Sequence, residues 1–103
     1  MISAIDRNQT ELAALCEQFG VERLEVFGSA VSGQFDPRTS DLDFIVQFRA
    51  DHDLGPWLRD YFGFREALSS LFGYPVDLVM SSAMENPYFI REANRTRRLL
   101  YGA

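Results

Sequence analysis

Lysine is missing from this chain of 103 residues, cysteine occurs once, and no apolar run is long enough to cross a membrane. The lone Cys16 excludes an internal disulfide and is typical of a reducing compartment. No run reaches about 18 apolar residues, and no basic start precedes an apolar stretch, so we expect neither a transmembrane helix nor a secretory signal. The sequence therefore predicts a cytoplasmic protein without a membrane partner.

Basic residues are fewer than acidic ones, and all ten of them are arginine, which leaves a net charge of −5. A protein that binds the nucleic-acid backbone needs a basic surface to neutralise phosphates. We therefore expect no direct contact with nucleic acid. The clustered cations are Arg91, Arg95, Arg97 and Arg98. They are open to three interpretations: a solvated face, a contact with an acidic partner, or a contact with nucleotide phosphates.

Hydrophobic residues make up 47% of the chain and aromatic residues 14%, which is enough for one packed domain over residues 1–103. Apolar residues at helical spacing predict helices over residues 6–19, 56–72 and 87–96. Asp6 is the expected N-cap of the first helix, and Asn86, followed by a proline, is that of the last. The middle helix carries a wide stripe of aromatic and aliphatic residues that includes Trp57 and Tyr61.

Strands are predicted where apolar residues alternate with polar ones or form short runs, over residues 21–27, 41–48, 76–80 and, at an edge, 98–101. Strands that alternate with helices are typical of an α/β fold. We therefore expect a small mixed sheet with helices packed mainly on one face. Loop residues 49–55 include His52, which we expect to be solvated.

Two aspartates open the second predicted strand. Because side chains alternate between the faces of a strand, Asp41 and Asp43 point to one side and Leu42 to the other. Two adjacent carboxylates repel unless a cation or a shared proton relieves them. A hard divalent cation such as Mg²⁺ prefers oxygen ligands of this kind. The pattern favours a metal site, and two solvated acids at a strand start are the alternative.

Gly28 and Ser29 end the first predicted strand and lead into a short helical segment. Free backbone N–H groups at such a turn can bind a phosphate, assisted by the helix dipole. The alternative is that Ser29 serves only as a helix cap. Ser40, at the end of the following loop, is expected to hold the loop or a carboxylate in place by a local hydrogen bond.

These residues together resemble a known signature. Gly28-Ser29, eleven intervening residues and Asp41-Leu42-Asp43 are similar to the Gly-Ser…Asp-x-Asp signature of the nucleotidyltransferase superfamily that includes DNA polymerase beta. Asp77, in the third predicted strand, fits the family's third carboxylate. The segments 86–89 and 100–102 resemble the minimal, antitoxin-like nucleotidyltransferases. The resemblance covers roughly the whole chain from the first helix to Gly102.

The resemblance implies an α/β nucleotidyltransferase that uses two Mg²⁺ ions and takes AMP from ATP by in-line attack at the α-phosphate. It assigns metal binding and catalysis to Asp41, Asp43 and Asp77, and nucleotide binding to Gly28, Ser29 and Ser40. Asp77 is the best candidate to accept the proton of the attacking hydroxyl.

The signature takes up nearly the whole chain, so little remains to build an acceptor pocket. The resemblance therefore implies that a partner supplies the acceptor: a tyrosine of a HEPN-class toxin, a helical ribonuclease, with this chain as its antitoxin. Two alternatives stay open, a module that neutralises its partner by contact alone and a transferase that modifies a small molecule such as an aminoglycoside. The aromatic surface near Trp57 and Tyr61 adds the expectation of a homo- or hetero-oligomer.

Overall fold

The computed structural model describes residues 1–102, which form a four-stranded sheet and five helices. The elements are α1 (Ser3–Arg7), α2 (Gln9–Gln18), β1 (Val21–Phe27), α3 (Ser29–Ser32), β2 (Leu42–Phe48), α4 (Arg59–Phe72), β3 (Val76–Met80), α5 (Pro87–Asn94) and β4 (Arg98–Tyr101). Short 3₁₀ turns cover Pro56–Leu58 and Ser81–Ala83. Within the described residues, none of the helices is both long enough and apolar enough to span a membrane.

The strands lie in the order β3-β2-β1-β4. β2 and β3 run parallel, whereas β1 is antiparallel to both β2 and β4. The predicted small mixed sheet is therefore confirmed. Its register places Asp43 directly opposite Asp77 on one side and opposite Phe27 on the other. This pairing brings the start of β2, the start of β3 and the end of β1 to the same place.

The main core lies on the face of the sheet that α1, α2 and α4 cover. Its buried side chains are exposed by 6% or less, and the largest of those exposed by less than 2% are Phe44, Phe64, Ile5, Leu12, Leu24, Leu42 and Leu68. Burial of each such side chain contributes roughly 1.5–3 kcal/mol. Cys16 belongs to this core, as its position in the helix predicts, and burial raises the pKa of its thiol to about 12. The helices predicted to lie mainly on one face do so.

The opposite face of the sheet is covered by α5. Ala93 of that helix is buried against Phe27 and Ile45. Beside them the carboxylate of Glu25 is only 5% exposed and receives two hydrogen bonds from the Arg97 guanidinium, at 2.7 and 2.8 Å. Arg97 holds the pKa of Glu25 below its ordinary value. The ion pair thus fixes the segment after α5 to β1.

The helix predicted over residues 6–19 is divided. Asn8, with φ −115° and ψ 28°, separates α1 from α2, and its side-chain amide donates a hydrogen bond of 2.6 Å to the carbonyl of Ala4. This side chain competes with the helical backbone pattern and ends the first helix. Asp6 lies inside α1, so its predicted role as an N-cap is wrong.

The helix predicted over residues 56–72 begins later than expected. Trp57 and Leu58 have φ of 56° and 55°, in the left-handed region. This conformation costs each of them about 1–2 kcal/mol, and it separates the 3₁₀ turn from α4. Trp57 is consequently 94% exposed and stands outside the apolar stripe. Tyr61 is held to the fold, because its hydroxyl donates to the carbonyl of Leu78.

His52 is half-buried, and the expectation that it is solvated is therefore wrong. Its ring stacks on Phe48, with centroids 6.2 Å apart, and its Nε2 lies 2.9 Å from Oδ2 of Asp60. This hydrogen bond is the main reason that the pKa of Asp60 lies below its ordinary value. The ring also fills the space beside Gly20, whose φ is +73°.

We predict that Gly20→Ala destabilises the fold more than Gly33→Ala. Both glycines have positive φ, so each alanine costs about 1–2 kcal/mol of backbone strain. A methyl group at Gly20 also overlaps the ring of His52 and displaces it from Asp60, which adds about 1–3 kcal/mol. Gly33 has open space around it and serves as the matched control. Equal free energies of unfolding for the two variants in urea would contradict this role of His52.

Candidate active site

Three carboxylates approach one another at the start of two parallel strands. Asp41 immediately precedes β2, Asp43 is its second residue, and Asp77 is the second residue of β3. The register pairs Asp43 directly with Asp77. The structure therefore brings together the three aspartates that the sequence singles out.

Asp43 is the most constrained of the three. Its pKa is raised to about 6, first by burial and then by the negative charges of Asp77 and Asp41. Both neighbours act on it because they stand on the same side of the sheet. A carboxyl in this position is stabilised by gaining a proton or by facing a cation.

Gly28 closes the site from the side of β1. Its φ of +79° favours glycine, and a Cβ atom at this position would stand 2.7 Å from Oδ2 of Asp43. Any side chain here would push the carboxylate out of place. The N–H of Gly28 donates a hydrogen bond of 2.7 Å to Oγ1 of Thr96. That N–H is therefore already paired with a residue from the far end of the chain.

Ser29 is the first residue of α3. The N-cap of this helix is Gly28, so the alternative that Ser29 is only a cap does not hold. The amides of Ser29 and Ala30 have no acceptor within the helix, because the first turn of any helix leaves its N–H groups unpaired. The Ser29 hydroxyl and these amides are the groups at this turn that can bind an anion.

The surroundings of Ser40 differ from those of Gly28 and Ser29, the other residues predicted to bind the nucleotide. Its Oγ accepts a hydrogen bond of 3.0 Å from the N–H of Asp36, and its own N–H donates to the Asp36 carbonyl at 2.8 Å. The loop closed by this pair leads directly to Asp41. The expected role in holding the loop by a local hydrogen bond is thus present in the structure.

A cleft with a volume of about 310 Å³ lies between α3 and α5, next to Gly28 and Ser29. Its walls are formed by Phe27, Gly28, Ser29, Ser32, Gln34, Phe89, Glu92, Ala93, Arg95 and Thr96. Arg95 is the member of the predicted arginine cluster that lines it, whereas Arg97 is committed to Glu25. Sequence reasoning missed Thr96 and Gln34, because neither shows a pattern that separates it from an ordinary loop residue.

The chemistry of the three carboxylates fits Mg²⁺. They offer only oxygen ligands, they repel one another, and the absence of a side chain at Gly28 leaves room for the Asp43 carboxylate. Within residues 1–102, no three His, Cys, Asp or Glu side chains are already arranged as a metal cage. The case for Mg²⁺ at these three carboxylates therefore depends on the type of donor atom and on the negative charge.

Comparisons with known proteins agree with this geometry. The family model for the nucleotidyltransferase domain matches residues 11–100. The chain is 39% identical over 72 residues to protein adenylyltransferase MntA of Thermococcus cleftensis. The aligned segment covers 70% of this chain and 68% of that protein. A solved candidate minimal nucleotidyltransferase is 27% identical with a TM-score of 0.73, covering 93% of this chain and 92% of its own.

A further solved structure is that of a tri-AMPylated Shewanella oneidensis HEPN toxin in complex with MNT antitoxin. The matched chain is 17% identical with a TM-score of 0.65, and the match covers 96% of this chain and 73% of that one. At this identity the likeness shows a shared fold alone.

We predict that Asp43→Asn raises the melting temperature of the metal-free protein at about pH 8. An aspartate is normally ionised above about pH 4, whereas folding raises the pKa of Asp43 to about 6. Its ionised form is thus disfavoured in the fold, and stability falls as the pH rises through this window. The gain in Asp43→Asn should shrink at about pH 4, where the wild-type carboxyl is largely protonated.

Asp51→Asn, in the exposed loop after β2, is the control for a general charge effect, and its shift should be the same at both pH values. If Asp43→Asn lowers the melting temperature at both pH values, then Asp43 is a structural residue and the repulsion account fails.

Proposed function

Because this chain belongs to the nucleotidyltransferase domain family, we propose that it transfers AMP from ATP to a hydroxyl group on a partner protein. The observation that carries the proposal is the register pair of Asp43 and Asp77 beside the Gly28 turn. This pair creates a concentrated negative charge that the fold itself does not neutralise.

The nucleotide is bound by its phosphates at the start of α3. The Ser29 hydroxyl and the first amides of the helix donate hydrogen bonds to the terminal phosphates, and the helix dipole favours their charge. Gly28 supports this turn through its backbone, and Ser40 keeps the loop that leads to Asp41 closed. Asp41, Asp43 and Asp77 would hold Mg²⁺, two ions in this proposal. The bound metal would supply positive charge that neutralises the triphosphate and promotes ionisation of the attacking hydroxyl.

Asp77 accepts the proton of the attacking hydroxyl. It is exposed, whereas Asp43 is half-buried against Gly28, so an acceptor on another protein can reach Asp77. The hydroxyl oxygen forms a bond to the α-phosphorus as the bond from that phosphorus to pyrophosphate breaks. Because the protein forms no covalent bond itself, its contribution is positioning and electrostatic stabilisation.

The acceptor that we propose is a tyrosine of a HEPN-type toxin, which makes this chain a cytoplasmic antitoxin consisting of one minimal domain. Asp41 and Asp77 are exposed, so an acceptor can approach them without entering a deep pocket. A tyrosine hydroxyl on a docked protein needs no such pocket. Two similar proteins support the proposal: protein adenylyltransferase MntA, and an MNT antitoxin in complex with a tri-AMPylated HEPN toxin.

Neutralisation by contact alone is the second candidate. Trp57, Leu58 and Phe62 are 94%, 41% and 44% exposed and form an apolar surface that favours a protein contact. Tyr61 is half-buried and held to β3 by its hydroxyl, and its ring packs edge-to-face against Phe62 at the margin of this surface. Contact alone does not explain why the fold retains Asp43 in a position where its charge is unfavourable. We therefore favour catalysis, with the aromatic surface as a docking aid.

We predict that a HEPN-type toxin encoded beside the gene of this protein gains one or more AMP units on a tyrosine, and loses ribonuclease activity, when it is incubated with this protein, ATP and Mg²⁺. Asp41→Ala and Ser29→Ala should each lower the rate at least about a hundredfold, because each removes a group that stabilises charge in the transition state. Intact-mass spectrometry and tryptic mapping measure the adduct and its position.

Ser70→Ala, exposed on α4 and remote from the site, is the matched control and should behave as the wild type. An aminoglycoside in place of the toxin tests the small-molecule alternative. If no adduct forms while Asp41→Ala still neutralises the toxin, contact alone is the mechanism.

We also predict that the protein is an oligomer, either alone or with the co-encoded toxin, and that Trp57 lies at the contact. Trp57→Ser removes the largest exposed apolar side chain and should weaken association about tenfold or more in light scattering. Tyr88→Ser, at 70% exposure on α5, is the matched aromatic control. A wild-type protein that is monomeric under both conditions would rule out this surface as a contact.

A further inference from the structure

Thr96 makes a hydrogen bond that has no role in the proposed reaction steps. It lies between the end of α5 and the start of β4, and its Oγ1 accepts a hydrogen bond of 2.7 Å from the N–H of Gly28. The two residues are 68 positions apart in the chain. This bond therefore links the C-terminal segment directly to the turn that precedes Ser29.

Gly28 is confined between two groups. The Asp43 carboxylate lies on the side where a Cβ atom would be, and the Thr96 hydroxyl receives its N–H. The carbonyl of Gly28 accepts the N–H groups of Val31 and Ser32 at 3.0 and 3.1 Å and so begins α3. A displacement of Gly28 would thus alter both the start of α3 and the surroundings of Asp43.

Thr96 is itself held on both sides along the chain. Its N–H donates to the carbonyl of Ala93, which is buried against Phe27. The next residue, Arg97, is fixed to the buried carboxylate of Glu25 by two hydrogen bonds. Because these neighbours are anchored to β1, the hydroxyl of Thr96 has a defined position relative to Gly28.

We propose that Thr96 is a positioning residue for nucleotide binding, an inference that rests on the proposed function. Its hydroxyl fixes the Gly28 backbone so that the Ser29 hydroxyl and the first amides of α3 face the terminal phosphates. Thr96 also lines the cleft between α3 and α5, where a shift of its side chain would change the shape of the wall. It acts through Gly28 and takes no part in bond making.

The test compares Thr96→Val, which keeps the shape of the side chain and removes the acceptor, with Thr96→Ser, which keeps the acceptor. Binding of AMP-PNP with Mg²⁺ is measured by calorimetry, and transfer is measured as KM for ATP and kcat. Thr96→Val should weaken AMP-PNP binding and raise KM about tenfold, the usual effect of one lost hydrogen bond, with a smaller change in kcat. Thr96→Ser should restore both values to within about twofold of the wild type.

Thr10→Val, exposed on α2, is the control for the loss of a threonine hydroxyl far from the site and should leave every value unchanged. Amide exchange gives a second readout, and the Gly28 amide, which donates to the Thr96 hydroxyl, should exchange faster in Thr96→Val than in Thr96→Ser. A lower melting temperature with unchanged KM and unchanged AMP-PNP affinity would overturn the proposal. A wild type that binds AMP-PNP but transfers nothing would overturn the proposed function while leaving the role of Thr96 supported by the binding data.

Discussion

The parallel register of β2 and β3 holds the carboxylates of Asp43 and Asp77 side by side, and the proposed chemistry depends on the repulsion between them. The Asp43 carboxylate occupies the space that a side chain at position 28 would fill, because a Cβ atom on Gly28 would stand 2.7 Å from its Oδ2. Burial and the two neighbouring charges raise its pKa to about 6. A cation that neutralises these carboxylates therefore stabilises the site, and in the proposed function a magnesium-bound triphosphate brings such cations.

The rest of the fold fixes the positions of these carboxylates. One face of the sheet is anchored by a continuous apolar core against α1, α2 and α4. The other face is covered by α5, and the buried pair of Glu25 and Arg97 ties the segment after that helix to β1. Thr96 lies within the tied segment and meets Gly28. Packing on both faces of the sheet thus fixes the position of the turn that carries Ser29.

Much of this architecture is predictable from the sequence, because period-2 alternation determines which way strand residues point. That alternation identifies the shared face of Asp41 and Asp43 and the strand that carries Asp77. Single-residue conformations and long-range contacts leave no such pattern. The left-handed backbone at Trp57, the ring of His52 beside Gly20, and the Thr96 hydroxyl on Gly28 depend on tertiary packing. A sequence window around any of them resembles an ordinary loop or helix end.

The most direct test of the account is paramagnetic line broadening by Mn²⁺, added in the presence of AMP-PNP, on the backbone amide signals of the assigned protein. The account predicts that the amides of Asp43, Asp77 and Gly28 broaden first, and that Asp77→Asn weakens the effect throughout this group. Broadening centred on the exposed acids Asp51 and Asp53, with the strand amides unaffected, would contradict the claim that the repelling carboxylates form the metal site.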